Sequence, residues 1–283
     1  MSTLYLVATP IGNLKDVTLR ALNVLREVDI VFAEDTRRTR ILLSHHGITA
    51  KLKTLNAHNE VGRIDEVCAA LNANRDVALV SDAGTPLCSD PGHRLVSQVA
   101  QEGFDVVPIP GPSAILGALI ASGLAPMPFT FVGFLPRRKG ARNTLLQRYK
   151  DSPETIVCFE SPNRLHGTLE SFMEVFGDRR ACVARELTKV HEEIVRGPLS
   201  ELAKQFESGV RGEVTLVVAG LPVREAKALR AADDGLILLI EEAVRELLKE
   251  GRSCKEIAAE LAPKFNFPKR KIYARALCLK EEQ

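Results

Sequence analysis

Three short segments of the sequence combine glycine, proline and small polar residues, and each directly follows a predicted strand. The segments are residues 9–14 (TPIGNL), 81–92 (SDAGTPLCSDPG) and 110–114 (PGPSA). Residues of these types let a backbone come close to a ligand and present its N–H and C=O groups to it. Because ordinary turns have much the same composition, one such segment is equally well explained as a structural loop. Three of them at the carboxyl ends of parallel strands favour a ligand-binding crevice.

Several other kinds of site do not fit the sequence. The turn after the first predicted strand holds only Gly12 in place of G-x-G-x-x-G, and G-x-x-x-x-G-K-[ST] is absent, so neither a dinucleotide site nor a P-loop is expected. The six cysteines are at least 20 residues apart and the six histidines show no H-E-x-x-H spacing, which predicts no metal site. Ser113 is not part of a G-x-S-x-G pattern, so an activated serine is not expected either.

Several polar residues in or beside predicted strand ends could accept a proton during catalysis. These candidate general bases are Asp35, His58, Glu60, Lys189 and Glu213. Each could instead cap a helix or form a surface ion pair. Asp35, for example, precedes a predicted helix whose N-terminal end attracts a carboxylate. Glu60 and Lys189, as polar groups in predicted loops, rank slightly ahead of the others.

Basic residues occur in pairs that could contact the phosphates of a nucleic acid. The pairs are Arg37 with Arg38, Arg137 with Arg138, and Lys269 with Arg270. The formal net charge is only +2, so the composition as a whole does not indicate a nucleic-acid-binding protein. Local pairs of this kind would make RNA binding sensitive to salt, although a solvated basic helix face is the commoner meaning of such a run.

The elements that must position these residues follow the pattern of two α/β lobes. In residues 1–123 short apolar runs alternate with segments of helical periodicity, which is typical of a mostly parallel sheet. The predicted strands are residues 4–8, 30–33, 51–55, 77–80 and 104–109, and the predicted helices are residues 17–28, 36–46, 61–73 and 91–102. In residues 124–222 strands are predicted at 129–134, 154–160, 181–185 and 213–219, and helices at 141–149, 162–176 and 199–206. The catalytic and ligand-binding candidates are therefore expected around a cleft between the lobes.

A helical appendage is predicted over residues 223–283. Residues 223–234 are rich in alanine and charge, and everything beyond Gly235 has helical character. Ser253 with Glu256 forms a capping box, and Pro268 can begin a further helix, which suggests a helix-turn-helix-like module. No run approaches the ~20 apolar residues of a membrane span. Together with an N-terminus that lacks the pattern of a signal peptide, this predicts a cytoplasmic protein without membrane partners.

Eight segments in order resemble one known family. They are TPIGNLKDVTLRAL, EDTRRTRILL, HNE, SDAGTPLCSDPG, PGPSA, FESPNRL, RELTKVHEE and RGE. They are similar to the tetrapyrrole methylase superfamily and, within it, to the branch of ribosomal RNA small subunit methyltransferase I. The resemblance implies a two-lobed class III methyltransferase fold, a homodimer, and S-adenosylmethionine bound between the lobes. In this branch the implied substrate is the 2′-hydroxyl of a cytidine in the decoding region of 16S rRNA, as free RNA or in the small ribosomal subunit.

The resemblance also implies which residues contact the cofactor. They are Ile11, Asp82, Ala83, Gly84, Thr85, Pro86, Ser113, Ala114, Phe159, Leu187 and Val214. Many superfamily members have G-D-P where this chain has Gly84-Thr85-Pro86, so the carboxylate of that motif is missing here. We expect Asp82 to replace it, since an α-ammonium group in a partly dry cleft needs a compensating acceptor.

Two other functions remain open on the sequence. One is methylation of a ring carbon of a tetrapyrrole by an enzyme of the same fold, against which stand the arginine pairs, the appendage and the missing G-D-P. The other is a non-catalytic RNA-binding ribosome assembly factor, which fits poorly with three intact small-residue loops.

Overall fold

The computed structural model describes residues 2–281, with all side chains in that span except those of Leu229, Arg230, Asp233 and Glu281. Contacts divide the chain into two compact units. The first contains residues 2–150 and 154–220, and the second contains residues 151–153 and 221–281.

The first sheet is parallel throughout and is buried on both faces. Its strands lie in the order β3-β2-β4-β1-β5 and span β1 Thr3–Val7, β2 Ile30–Ala33, β3 Leu52–Thr54, β4 Val77–Val80 and β5 Asp105–Ile109. The central strands β2 and β4 are entirely buried, as their continuous apolar sequences require in a sheet covered on both sides. The strand ends that precede the three glycine-rich segments therefore lie at one edge of the sheet.

Helices cover both faces of this sheet. They are α1 Leu19–Glu27, α2 Thr36–His45, α3 Glu60–Asn72 and α4 His93–Gln101. Helices α1 and α2 pack on one face and α3 and α4 on the other. Side chains cap two of them, since Thr18 accepts from the Ala21 N–H and Asp35 from the Arg37 N–H. The predicted strands and helices of this region are confirmed, with ends that move by no more than two residues.

The second sheet is mixed. Its strands lie in the order β6-β7-β10-β8-β9 and span β6 Phe129–Phe134, β7 Thr155–Glu160, β8 Arg180–Arg185, β9 Glu193–Pro198 and β10 Val214–Val218. Only β6 and β7 pair in parallel. Helices α6 Lys139–Leu146, α7 Leu165–Phe176 and α8 Leu199–Gln205 form the core on one face, around buried Phe172.

Helix α5, Ala114–Ala121, and strand β9 of the first unit were not predicted. Helix α5 follows the PGPSA segment and packs against the second sheet, although it precedes residue 123. Its sequence AILGALIA is almost uniformly apolar, so no helical periodicity shows. Strand β9 lies at the edge of the sheet, where charged residues and Pro198 are tolerated. The same residues interrupt the apolar pattern from which a strand is predicted.

The second unit consists of three helices around a core of their own. They are α9 Val223–Lys249, α10 Cys254–Lys264 and α11 Lys269–Glu281. The capping box of Ser253 and Glu256 at the start of α10 is confirmed. Helix α9 begins at Val223, the first residue of the predicted helical appendage, and continues through Gly235. A glycine inside a helix costs only about 1 kcal/mol, which a helix of 27 residues can absorb. Among the described residues no helix is long and apolar enough to span a membrane.

Candidate active site

A cavity of about 400 Å³ lies where the three glycine-rich segments meet the second sheet, and we call it the large cavity. The first sheet contributes the loops after β1, β4 and β5. The second sheet contributes the end of β7, the turn after β8 and the start of β10. Parallel strands bring their carboxyl-end loops to one edge, which is where ligands bind in such sheets.

Backbone contacts hold the first two loops together. Thr9 and Gly84 exchange two hydrogen bonds of 2.9 Å between their N–H and C=O groups. Gly84 has a φ of +83°, which favours glycine, and a Cβ there would lie 3.2 Å from Cγ2 of Ile11. The loops after β1 and β4 therefore form one continuous wall of the cavity.

Two segments at the cavity hold non-glycine residues in left-handed backbone. Leu87 and Ser89 have φ of 70° and 88°, and Glu186 and Thr188 have φ of 51° and 67°. Such conformations cost free energy and occur preferentially at binding and catalytic sites. Four of the six described residues of this kind lie in these two segments, which marks both as functional candidates.

Carboxylates concentrate at the first-sheet side of the large cavity. Asp82 and Asp90 line it, and Asp82 Oδ1 accepts a hydrogen bond of 2.8 Å from the Asp35 N–H. Burial raises the pKa of Asp90; the hydroxyl of Ser81 opposes the rise by donating to it, and the charge of Asp82 adds to it. Burial also raises the pKa of Glu34, helped by Asp90 and Asp82. A positively charged ligand would relieve this repulsion.

An ion-paired lysine occupies the second-sheet side. Lys189 Nζ lies 2.8 Å from Glu186 Oε1 and 3.0 Å from Glu213 Oε2, and the Glu213 N–H donates to Glu186. Burial acts to lower the pKa of Lys189, but the hydrogen bonds to Glu186 and Glu213 outweigh it and the pKa is raised. Lys189 is therefore a cation at neutral pH, which favours stabilisation of negative charge over removal of a proton.

A second cavity of about 310 Å³, the small cavity, adjoins the large one. The two share Ile11, Asp82, Ala83 and Glu213 as lining residues. Its remaining wall comes from the loop after β1, from Ser81, from α2 and from Lys189. Two ligands could therefore meet at the shared residues.

The candidate cofactor residues lie together. All of them except Pro86 line the large cavity: Ile11, Asp82, Ala83, Gly84, Thr85, Ser113, Ala114, Phe159, Leu187 and Val214. Pro86 belongs to the same segment but is not part of the lining.

The five candidate bases are not all at the cavities, and His58 lines neither of them. Glu213 lines both cavities and Lys189 lines the small one. The carboxylate of Glu60 accepts hydrogen bonds from the backbone N–H groups of Arg94 and Leu95 at the start of α4. Asp35 caps α2, and side-chain hydrogen bonds from Arg37 lower the pKa of Asp35 to about 2.

The six basic residues proposed for RNA contact are all exposed. Arg37 and Arg38 lie in the first turn of α2, Arg137 and Arg138 follow β6, and Lys269 and Arg270 begin α11 in the second unit. Arg37 also forms an ion pair with Asp35.

Other residues of the site were not singled out on the sequence. Asp90 and Glu186 lie within the SDAGTPLCSDPG and RELTKVHEE segments, so their segments were the available signal. Glu160 lines the large cavity, but its buried carboxylate is bound by Arg164, Thr168 and the Ser161 N–H. Among the described residues no group of three His, Cys, Asp or Glu side chains could hold a metal ion.

Known proteins are similar to this chain in sequence and in fold. The family described as tetrapyrrole (corrin/porphyrin) methylases matches residues 3–203. Ribosomal RNA small subunit methyltransferase I of Thermotoga maritima is 48% identical over 221 residues, which cover 78% of this chain and 99% of that protein. The protein of the same name from Synechocystis is 40% identical over 100% of both chains. A solved structure of uroporphyrin-III-C-methyltransferase from Thermus thermophilus covers 82% of this chain and 98% of its own, with a TM-score of 0.54 and 20% identity, which shows a shared fold.

The contact between Gly12 and the turn at residues 186–189 provides a test of the cleft. A Cβ at Gly12 would lie 2.5 Å from Lys189 Cγ and 3.0 Å from the Leu187 carbonyl oxygen. We expect Gly12→Ala to lower the free energy of unfolding by roughly 1–3 kcal/mol, as overpacking does. Gly62→Ala is the matched control, because Gly62 lies within α3 with nothing near its Cβ position, and should gain about 0.5–1 kcal/mol. Urea unfolding of the full chain measures both, and a Gly12→Ala protein as stable as wild type would contradict the contact.

Proposed function

The chain belongs to the tetrapyrrole methylase family and, within it, to the branch of ribosomal RNA small subunit methyltransferase I, and we propose that it methylates RNA with S-adenosylmethionine. The acceptor we propose is the 2′-hydroxyl of a cytidine in the decoding region of 16S rRNA. The observation that carries the proposal is the large cavity, which is lined by ten residues assigned to the cofactor on the sequence.

The large cavity has the chemistry that S-adenosylmethionine requires. Its volume of about 400 Å³ lies within the range of small-molecule sites, about 300–1,000 Å³. Ile11, Phe159 and Leu187 offer apolar surface for the adenosine. Asp82 and Asp90 supply negative charge for a molecule that carries a sulfonium and an α-ammonium group. The residues present therefore fit this cofactor.

The protein must align the acceptor oxygen and remove its proton. When bound, S-adenosylmethionine supplies a methyl group on a positively charged sulfur, which keeps the electron pair of the broken carbon–sulfur bond as the oxygen takes the methyl. We assign removal of the hydroxyl proton to Glu213, because this residue lines both cavities and its side chain is 62% exposed, so an incoming hydroxyl can reach it. Asp35 and Glu60 line neither cavity, and their carboxylates are bound by Arg37 and by the start of α4.

Lys189 supports this step as a cation. Its ion pair with Glu213 positions the carboxylate, and its charge can stabilise an oxygen that is losing its proton. Glu186 holds the lysine from the other side. Lys189 thus has an electrostatic role in the proposed reaction.

The exposed basic pairs provide phosphate contacts in the proposed complex with 16S rRNA or the small ribosomal subunit. Lys269 and Arg270 would add theirs from the second unit. The 221 matched residues make up 99% of the Thermotoga relative but only 78% of this chain. That protein is therefore too short to contain a counterpart of the second unit as well. We infer that methyl transfer belongs to the first unit and that the second adds RNA contacts. The proposal also includes a homodimer, as the resemblance implies, and a cytoplasmic location.

An activity assay tests the function directly. We expect the protein to transfer labelled methyl from S-adenosylmethionine to small subunits or RNA that lack the modification, with the label in an alkali-resistant dinucleotide because the 2′-oxygen is blocked. A tetrapyrrole precursor in a parallel reaction should remain unlabelled. Label in the pigment would support the ring-carbon methylase instead, and label nowhere would support the non-catalytic assembly factor.

The role of Asp82 in holding the donor can be measured separately. Asp82→Asn keeps an oxygen that can accept from the Asp35 N–H but removes the negative charge. We expect the Kd for S-adenosylmethionine, measured by calorimetry, to rise roughly tenfold or more, as for loss of a charge-assisted hydrogen bond. Asp16→Asn is the control, because Asp16 is exposed and lines neither cavity. An unchanged affinity of Asp82→Asn would remove Asp82 from the donor site.

Substitution of Glu213 tests the assignment of the proton acceptor. Glu213→Gln should lower kcat by about 10²–10⁴-fold, the typical contribution of a general base, and change the donor Kd little. The matched change Glu207→Gln affects an exposed residue outside both cavities and should leave kcat at the wild-type value. Wild-type turnover in Glu213→Gln would transfer the role to another group.

A further inference from the structure

The small cavity is placed to receive whatever reacts with a ligand in the large one. Ile11, Asp82, Ala83 and Glu213 line both, so the two cavities are neighbours with these four residues as their common wall. Both sheets contribute to it, through α2 and the loop after β1 on one side and Lys189 and Glu213 on the other. A ligand there would meet the donor at the two carboxylates.

The lining of the small cavity combines apolar surface with positive charge. Leu14, Ile41 and Leu42 provide the apolar part, and Arg38 and Lys189 provide cations. Arg38, Ile41 and Leu42 are three and four residues apart on α2, so one face of this helix lines the cavity. Ile41 is 63% exposed, which leaves an apolar surface available to a ligand.

This combination matches one nucleotide of a single strand. A base can lie against apolar side chains, a guanidinium is well suited to a phosphate, and the ribose between them would reach the shared carboxylates. A tetrapyrrole is a poorer match, because it is a flat macrocycle with several carboxylates and the junction itself carries Asp82 and Glu213.

We infer that the small cavity holds the acceptor nucleotide, with Arg38 on its phosphate, Ile41 on its base and its ribose hydroxyl at the junction with the large cavity. The inference rests on the proposed function and extends it to the substrate site. It also separates Arg38 from the other exposed arginines, since Arg38 is part of the cavity wall.

Three variants on α2 test the inference in the full chain. Arg38→Ala removes the phosphate contact, Ile41→Ala removes the apolar contact, and Arg40→Ala is the matched control. Arg40 is exposed on the same helix, two residues from Arg38 and therefore not on the same face, and it does not line the cavity. Methyl transfer to undermodified small subunits is measured over a range of salt concentrations, and the Kd for S-adenosylmethionine is measured by calorimetry as a check of folding and of the donor site.

We expect Arg38→Ala to raise the KM for the subunit about tenfold and to reduce the slope of log(kcat/KM) against log salt by roughly one. Ile41→Ala should raise the KM severalfold without changing that slope, because no phosphate contact is lost. The donor Kd should stay at the wild-type value in all three variants, and Arg40→Ala should keep the wild-type KM.

The inference is overturned if the wild type methylates RNA while Arg38→Ala behaves like Arg40→Ala, or if Arg38→Ala weakens the donor as much as the acceptor. In that case the proposed function stands and the acceptor lies elsewhere. A wild-type protein that labels no RNA overturns the proposed function and the inference together.

Discussion

The close approach of the loop after β1 to the turn at residues 186–189 is the contact on which the cleft depends. Gly12 leaves no space for a side chain there, and the Asn13 N–H donates to the Thr188 hydroxyl at 3.0 Å. The turn is itself tied to the start of β10, since the Glu186 N–H donates to the Glu213 carbonyl. This contact joins a backbone N–H to a hydroxyl on a short turn, and it links the two sheets in addition to helix α5, which packs against the second sheet. The distance between the walls of both cavities follows from this contact.

The carboxylates at the first-sheet wall show that the site is built for charge and not for stability. Burial raises the pKa of Asp90 and of Glu34, and neighbouring negative charges raise it further. In their ionised form these groups oppose folding, because each is harder to ionise in the folded protein than in the unfolded chain. Such a cost persists where a ligand offsets it, and a cationic donor would do so. The lysine on the opposite wall has its own two carboxylate partners, so it does not compete for this role.

The positions of the cavity residues could be predicted because they follow from strand order alone. Any loop that follows a strand of a parallel sheet reaches the same edge, so Ile11, Asp82 and Ser113 had to lie near one another. The pairing of side chains could not be predicted in this way. Glu60 is bound to backbone groups 34 and 35 residues further along the chain, and only the packing of α3 against α4 reveals it. Helix α5 escaped prediction because its exposed positions, Leu116 and Ile120, are apolar like its buried ones, so the sequence has no polar face.

The resemblance of this chain to its family lies mainly in the loops and not in any single side chain, and the energetics of methyl transfer give a reason. Alignment of two reactants can supply on the order of 7–11 kcal/mol, whereas a general base supplies about 10²–10⁴-fold, or roughly 3–5 kcal/mol. In the proposed reaction the larger share therefore comes from walls that hold donor and acceptor at a common junction. Those walls are made of backbone at Thr9, Gly84 and Gly12, where the choice of residue is narrow. A carboxylate such as Glu213 needs only to reach the junction, and the sequence around it has little that sets it apart from other charged residues.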